Sequence, residues 1–293
     1  MPSRQRLVPG TLAAAIAARA ERALREGALL PIPTRAHVVE DGGIPFVVRV
    51  LAGPARKSEA TDRQRAAGAN PFLPYEAALH VADLSDTHVC LLNKFNVVDR
   101  HVLLVTREFE EQQSPLCTAD FAALWAGLEE TGGLGFYNAG EIAGASQRHK
   151  HLQIVPLPLG PGEGFPFAAR LEALAPKAGV VVPTGLPFPA ALASIEALGS
   201  RGPDEAAAAL AALYREMLGE TGVDPGCAPY NLLATRRWLW LVPRTRPEWQ
   251  GIAVNALGFA GALLVPDDAA LARLRAVGPL ALLRAVTPGG ARV

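Results

Sequence analysis

At 293 residues, half of them hydrophobic, the chain is long enough to bury a substantial core as one large domain or two modest ones. Basic and acidic residues balance at 28 each, so the net charge of zero argues against a general nucleic-acid binder while allowing a small anion held by a local cluster of cations. Three scattered cysteines (Cys90, Cys117, Cys227) without a CxxC pair disfavour a cysteine-built zinc site and suit a reducing cytoplasm, and the lack of an apolar run of about 18 residues predicts no membrane span.

Residues 9–26 predict an amphipathic helix ending at Gly27; its early charges Arg19, Glu21 and Arg22 are unlike a secretory segment. Strand-like runs follow at 44–51, 79–84, 87–95 and 101–106. Between the first two lies a polar stretch, 55–70, which reads as a mobile loop and carries Lys57, one of only four lysines (Lys57, Lys94, Lys150, Lys177) in an arginine-rich chain. Ser114 or Thr118 is expected to cap a helix running to Glu130 and closed by Gly132-Gly133. A strand at 134–138, a glycine-rich turn at 140–146 and a strand at 149–157 come next, then a Pro/Gly-rich connection at 158–166. Pro203 opens a long helix, 230–234 and 238–242 form a tight hairpin, 261–265 is a strand, and Asp267 caps a further helix. Strands joined by short turns, with helices between groups, give an α+β class with a mainly antiparallel sheet.

The chemistry-bearing run is 138–153, Asn-Ala-Gly-Glu-Ile-Ala-Gly-Ala-Ser-Gln-Arg-His-Lys-His-Leu-Gln. On a strand, His149, His151 and Gln153 share one face at steps of about 6–7 Å, and Lys150, Leu152 and Ile154 share the other. The preceding turn, Gly144-Ala145-Ser146-Gln147, can offer backbone N–H groups to an anion. A neutral imidazole is a good nucleophile towards phosphorus, provided its other nitrogen has a fixed acceptor and the phosphate is held by donors such as Ser146, Gln153 and a second histidine. Two other readings of His-x-His compete: polar residues on a solvated face, or a metal pair. The metal pair lacks later ligands, because no histidine follows His151. A P-loop is excluded because no lysine follows a glycine, and neither the serine-hydrolase elbow nor the dinucleotide fingerprint is complete.

His149-x-His151-x-Gln153, with Gly144–Gln147 and Asn138 before it, resembles the signature of the ATP adenylyltransferases, or diadenosine tetraphosphate phosphorylases. These form a branch of the histidine-triad superfamily near galactose-1-phosphate uridylyltransferase. The blocks 91–95, 101–106, 136–138, 230–233, 238–244 and 255–259 follow the family's order, so the resemblance spans 45–265. It implies a HIT-like sheet with flanking helices, divided into 1–165, carrying the motif, and 166–293, completing the nucleotide site. It further implies that His151 takes an adenylyl group from diadenosine tetraphosphate, expelling ATP, and passes it to phosphate as ADP. By the same carry-over, His149 supports the nucleophile. Gly144, Ala145, Ser146, Gln147 and Gln153 hold phosphates, and Asn93, Lys94 and Asn138 line the nucleotide site. Lys57 reaches the polyphosphate, while Asn255, Ala256 and Leu257 border the distal nucleotide. Mg²⁺ is expected to arrive with the substrate, without a resident protein metal. The expected partners are small nucleotides and phosphate, not nucleic acid or membrane. Pro266 and Ala262 depart from the lysine and the larger residue that the family pattern places there. A sugar-nucleotide phosphorylase or uridylyltransferase, and a non-catalytic nucleotide-binding protein, are the alternatives.

Overall fold

The computed structural model describes residues 7–52 and 70–289. Nine strands form one sheet: β3 (His80–Asp83), β4 (His88–Leu92), β5 (Val102–Thr106), β6 (Leu134–Asn138), β7 (His151–Val155), β8 (Val180–Val181), β9 (Ala191–Ser194), β10 (Tyr230–Ala234) and β11 (Trp238–Pro243). Their spatial order is β3-β4-β5-β7-β6-β10-β11-β9-β8, and every neighbouring pair runs antiparallel. A second sheet of three strands joins β1 (Thr34–Asp41) to β2 (Ile44–Leu51), and β2 in parallel to β14 (Ala262–Val265). A short hairpin, β12 (Glu248–Trp249) with β13 (Ile252–Ala253), leads towards β14.

The helices sort the faces. On one side, α1 (Leu12–Arg25), α2 (Thr118–Thr131) and the long α4 (Pro203–Thr221) bury a core that includes Trp125, Leu128, Leu152, Ile154 and Leu210. On the other, the three-stranded sheet packs with α3 (Ala168–Leu174), α5 (Ala256–Phe259), α6 (Asp268–Val277) and α7 (Pro279–Ala285) against Phe136, Leu233 and Trp240. That second cover leaves the sheet face at β4, β5 and the start of β7 open as a cleft floor, where Leu91 pairs with Leu103 and Leu103 with Gln153. None of the described helices is long and apolar enough to cross a membrane.

Several boundaries differ from the sequence reading, each for a local reason. Helix α2 is capped neither by Ser114 nor by Thr118. Its N-cap is Cys117, whose N–H donates to Asp120 Oδ2 at 2.7 Å, while Gly132 ends it at φ 61°. The strand expected from His149 begins at His151, because β6 pairs with β7 only as far as Phe136↔Gln153. Beyond that point residues 110–112 run beside 148–150 instead: Lys150 N–H donates to Glu110 O, Gln112 N–H to Arg148 O, and Glu111 bridges His149. Strand β1 escaped the sequence reading because it is a polar, half-exposed edge, and β9 because Ala-Leu-Ala-Ser carries little strand propensity. The Asp267 cap and the proline-opened helix match their expectations.

Candidate active site

The cleft floor is built from strand alternation. Leu152 and Ile154 point into the core beneath α2, so His151 and Gln153 point into the cleft. Lys150 also points away and is fully buried, its Nζ 2.7 Å from Asp120 Oδ2 and 3.0 Å from Glu110 Oε2. Asp120 in turn meets His88 Nε2 at 3.1 Å. Burial works against the Asp120 charge, yet His88 and Lys150 hold its carboxyl down at about 2. The strand that carries the histidines is thus riveted from below by a buried charge cluster.

His151 has a defined tautomer. Its Nδ1 lies 2.8 Å from the carbonyl oxygen of His149, which can only accept, so Nδ1 carries the proton and Nε2 keeps its lone pair. Nε2 makes no hydrogen bond among the described residues and belongs to the cleft. Burial pushes the imidazole down to about 4, so it is neutral at physiological pH.

Two side-chain amides are oriented around it. His101 Nδ1 accepts from Asn93 Nδ2 at 3.1 Å, so its Nε2–H donates to Gln153 Oε1 at 2.9 Å. Gln153 therefore presents its NH₂ group to the cleft. Asn138 Oδ1 accepts both Asn231 Nδ2 at 2.8 Å and the Ala256 N–H at 3.0 Å, which likewise leaves the Asn138 NH₂ group for a ligand. Asn231 is held by Arg244, a buried guanidinium with no carboxylate partner among the described residues. Arg244 also donates to the Ala143 carbonyl and lies over the Phe259 ring, and burial lowers its pKa to about 9. These locks unite β6 and β10 with the 140–147 turn and the start of α5.

Asn93, Lys94, Asn138, Gly144, Ser146, Gln147, His151, Gln153, Asn255 and Leu257 line one cleft. His149 and Ala145 line an adjoining one, which shares Pro71, Ser146 and Gln147 with the first. Ala256 is buried, its N–H engaged by Asn138, so it borders the site only through its backbone. Lys57 lies outside the described residues.

Two expectations need correcting. The ring of His149 is not a free phosphate donor: Nε2–H donates to the Thr106 carbonyl at 2.8 Å, Nδ1 accepts from Asn70 at 2.9 Å, and Phe72 and Phe109 pack edge-on to the ring. What His149 gives its neighbour is its carbonyl. In the glycine-rich turn, the Gly144 and Ala145 N–H groups are consumed by Glu141 and Gly140 carbonyls, leaving Ser146 as the turn's exposed donor. Gly144 earns its place differently: at φ 98°, a Cβ would sit 2.7 Å from Asn255 Cβ and 3.0 Å from Val254 O. Gly144→Ala should push the turn off Asn255 and cost about 1–3 kcal/mol of site geometry, read as a roughly 5- to 150-fold loss of kcat/KM.

The sequence reading missed Arg49, Gln112, and the orienting roles of His101, Asn231 and Arg244. Arg49 projects into the cleft from β2, with Thr34 Oγ1 at 3.3 Å and no carboxylate partner among the described residues. An arginine within the apolar run of β2 was the available signal.

A family model described as the Ap4A phosphorylase N-terminal domain matches residues 2–173, more than half of the chain. The chain belongs to the Ap4A phosphorylase family. A second model, the ATP adenylyltransferase C-terminal domain, matches residues 184–288. Among curated relatives of this Ap4A phosphorylase family member, diadenosine 5',5'''-P1,P4-tetraphosphate phosphorylase 2 of Saccharomyces cerevisiae is 30% identical over 256 residues, 75% of this chain and 76% of the relative. Protein APA1 of the same organism is 26% identical, covering 91% and 90%. The crystal structure of yeast Ap4A phosphorylase Apa2 in complex with AMP superposes with a TM-score of 0.76 at 25% identity, over 96% of this chain and 99% of the other. The Apa2 complex with Ap4A gives 0.77 at 24%, with the same coverage.

Proposed function

We propose that this chain phosphorolyses diadenosine tetraphosphate through an adenylyl-histidine at His151. The observation that carries the reading is the neutral imidazole with Nδ1–H tied to the His149 carbonyl, Nε2 unbound, and two amide NH₂ groups aimed into the same cleft. Nε2 attacks the α-phosphorus, and the bond to the bridging oxygen breaks, its electron pair leaving with ATP. Positive charge develops on the ring and is stabilised by the Nδ1–H bond to His149. The amides of Gln153 and Asn138 and the hydroxyl of Ser146 meet the charge on the phosphoryl oxygens. A phosphate oxygen then attacks the adenylyl phosphorus, the P–N bond breaks, the pair returns to Nε2, and ADP leaves. The relative named as a tetraphosphate phosphorylase, and the likeness to a phosphorylase bound to AMP, support this substrate choice.

The test uses ¹⁸O-labelled phosphate with diadenosine tetraphosphate. All label should enter ADP and none ATP; AMP as the main product would instead mean hydrolysis.

We propose that the chain divides the work, 1–165 bringing the nucleophile and 166–293 completing the pocket, a division supported by the reach of Asn231, Arg244 and the 255–257 turn into the site. Glu76 is the only carboxylate lining the main cleft among the described residues, and it is paired with Lys94 Nζ at 2.5 Å. Mg²⁺ is accordingly proposed to enter with the polyphosphate as part of the substrate. Chelation should stop turnover and added Mg²⁺ should restore it fully; a tightly held stoichiometric metal would contradict this. Partners are small nucleotides and phosphate, and the free thiols Cys90, Cys117 and Cys227 favour the cytoplasm.

The pH profile follows from burial. His151 and His101 are both pushed down to about 4, so kcat/KM, which reports the free enzyme, should stay level from pH 7 to about 5 and fall as pH approaches 4. An acid limb centred near the ordinary histidine value of about 6.5 would contradict the buried, neutral nucleophile. The linkage has the same sign: the unfolded chain takes up these protons first, so their stabilisation is complete above about 6.5 and is lost as pH falls through about 4.

A further inference from the structure

Gln112 occupies a position that the reaction described above does not use. It is buried in the segment that replaces β6 beside His149, at the point where the β6–β7 ladder ends. Past Phe136↔Gln153, the backbone groups of His151 and the carbonyl of Asn138 have lost their ladder partners. One side chain reaches all three, joined at the Asn138 carbonyl by the Gly140 N–H at 2.9 Å. Gln112 Oε1 accepts the His151 N–H at 2.9 Å, and Gln112 Nε2 donates to the His151 carbonyl at 3.1 Å and to the Asn138 carbonyl at 3.0 Å. Its own backbone is fixed as well, N–H donating to Arg148 O at 2.7 Å and C=O accepting from the Tyr137 hydroxyl. A side-chain amide thus stands between two backbones that direct strand pairing would otherwise close, and it carries the attacking imidazole on one side and a phosphate-facing amide on the other.

We propose that Gln112 is a positioning residue: it sets where His151 Nε2 stands relative to the Asn138 amide, and so governs the rate of attack at phosphorus more than nucleotide affinity. The inference rests on His151 being the nucleophile. A main-chain ladder would hold His151 equally firmly, but it would hold Asn138 against it. Gln112 keeps the hydrogen bonds and the separation together.

The test compares wild type with Gln112→Ala, Gln112→Met and Gln112→Glu. The glutamate retains the acceptor for the His151 N–H and the side-chain volume, but turns both donor contacts into oxygen facing oxygen. In single-turnover adenylylation by diadenosine tetraphosphate, the alanine and methionine variants should be slower by about 100-fold, the cost of roughly 1 Å of misplacement. AMP affinity should stay within about threefold of wild type. Backbone amide exchange, followed with ¹⁵N-histidine label on the six histidines, should show the His151 amide losing protection while the amide of His88, in β4, keeps it. Glutamate should slow adenylylation while sparing the His151 amide. Adenylylation at the wild-type rate per folded molecule would overturn the proposal, as would equal loss of protection at His88 and His151, which marks general loosening. Failure of wild type to form any adduct would remove the nucleophile itself, a separate result, and the His151 exchange would still decide whether Gln112 holds it.

Discussion

Replacing His151 by alanine should reduce phosphorolysis by on the order of 10⁵-fold with the fold intact, because among the described residues no other group in the cleft offers an unbound nitrogen on a neutral ring. His149→Ala sharpens the result. It keeps the carbonyl that holds His151 Nδ1 and removes only the ring contacts to Thr106, Asn70, Phe72 and Phe109. The expected loss is about 10- to 100-fold, the range for removing a group that orients another. Equal inactivation by the two substitutions, measured with folded protein at saturating substrate, would mean that the two rings act as one unit and that the carbonyl is not the orienting group.

The second large effect is on stability, from the opposite face of the same strand. Asp120→Ala leaves the buried ammonium of Lys150 with the Pro115 carbonyl and a single carboxylate, that of the half-exposed Glu110, and removes the carboxylate that closes the N-terminus of α2. Removing one partner of a buried pair costs about 3–5 kcal/mol, which in a chain of this size lowers Tm by roughly 10 °C. The folded-state value of Asp120 is depressed to about 2, against about 3.9 for an unperturbed aspartate. Its stabilisation is therefore present above about pH 3.9 and is lost as pH falls through 2. Thermal melts from pH 7 to pH 2 check both; a variant that melts with wild type would show that the cluster is not holding the strand.

The sequence disclosed the site through alternation. His149-Lys150-His151-Leu152-Gln153 declares which residues face one way, and the structure places Leu152 and Ile154 in the core and His151 and Gln153 in the cleft. The helix openings at Pro203 and Asp267 were legible because capping chemistry is local. The end of β6–β7 pairing was not, because it depends on residues 110–112, about forty positions away, competing for the backbone at 148–150. For the same reason the locks on Gln153 and Asn138 were invisible: Asn93, His101, Asn231 and Arg244 act through tautomers and amide orientations that only the folded chain defines. The exposed edge of β1 and the alanine-rich β9 carried too little pattern to read.

The proposed reaction turns on a covalent bond between His151 and an adenylyl group. Folded enzyme incubated with diadenosine tetraphosphate and Mg²⁺, without phosphate, should be quenched in base, where a phosphoramidate survives, digested, and weighed peptide by peptide. An AMP mass is expected on the peptide spanning 149–153, assigned by fragmentation to His151, lost in acid, and discharged as ADP when phosphate is added before the quench. The AMP mass on another residue, or no adduct under conditions that support rapid turnover once phosphate is present, would contradict it.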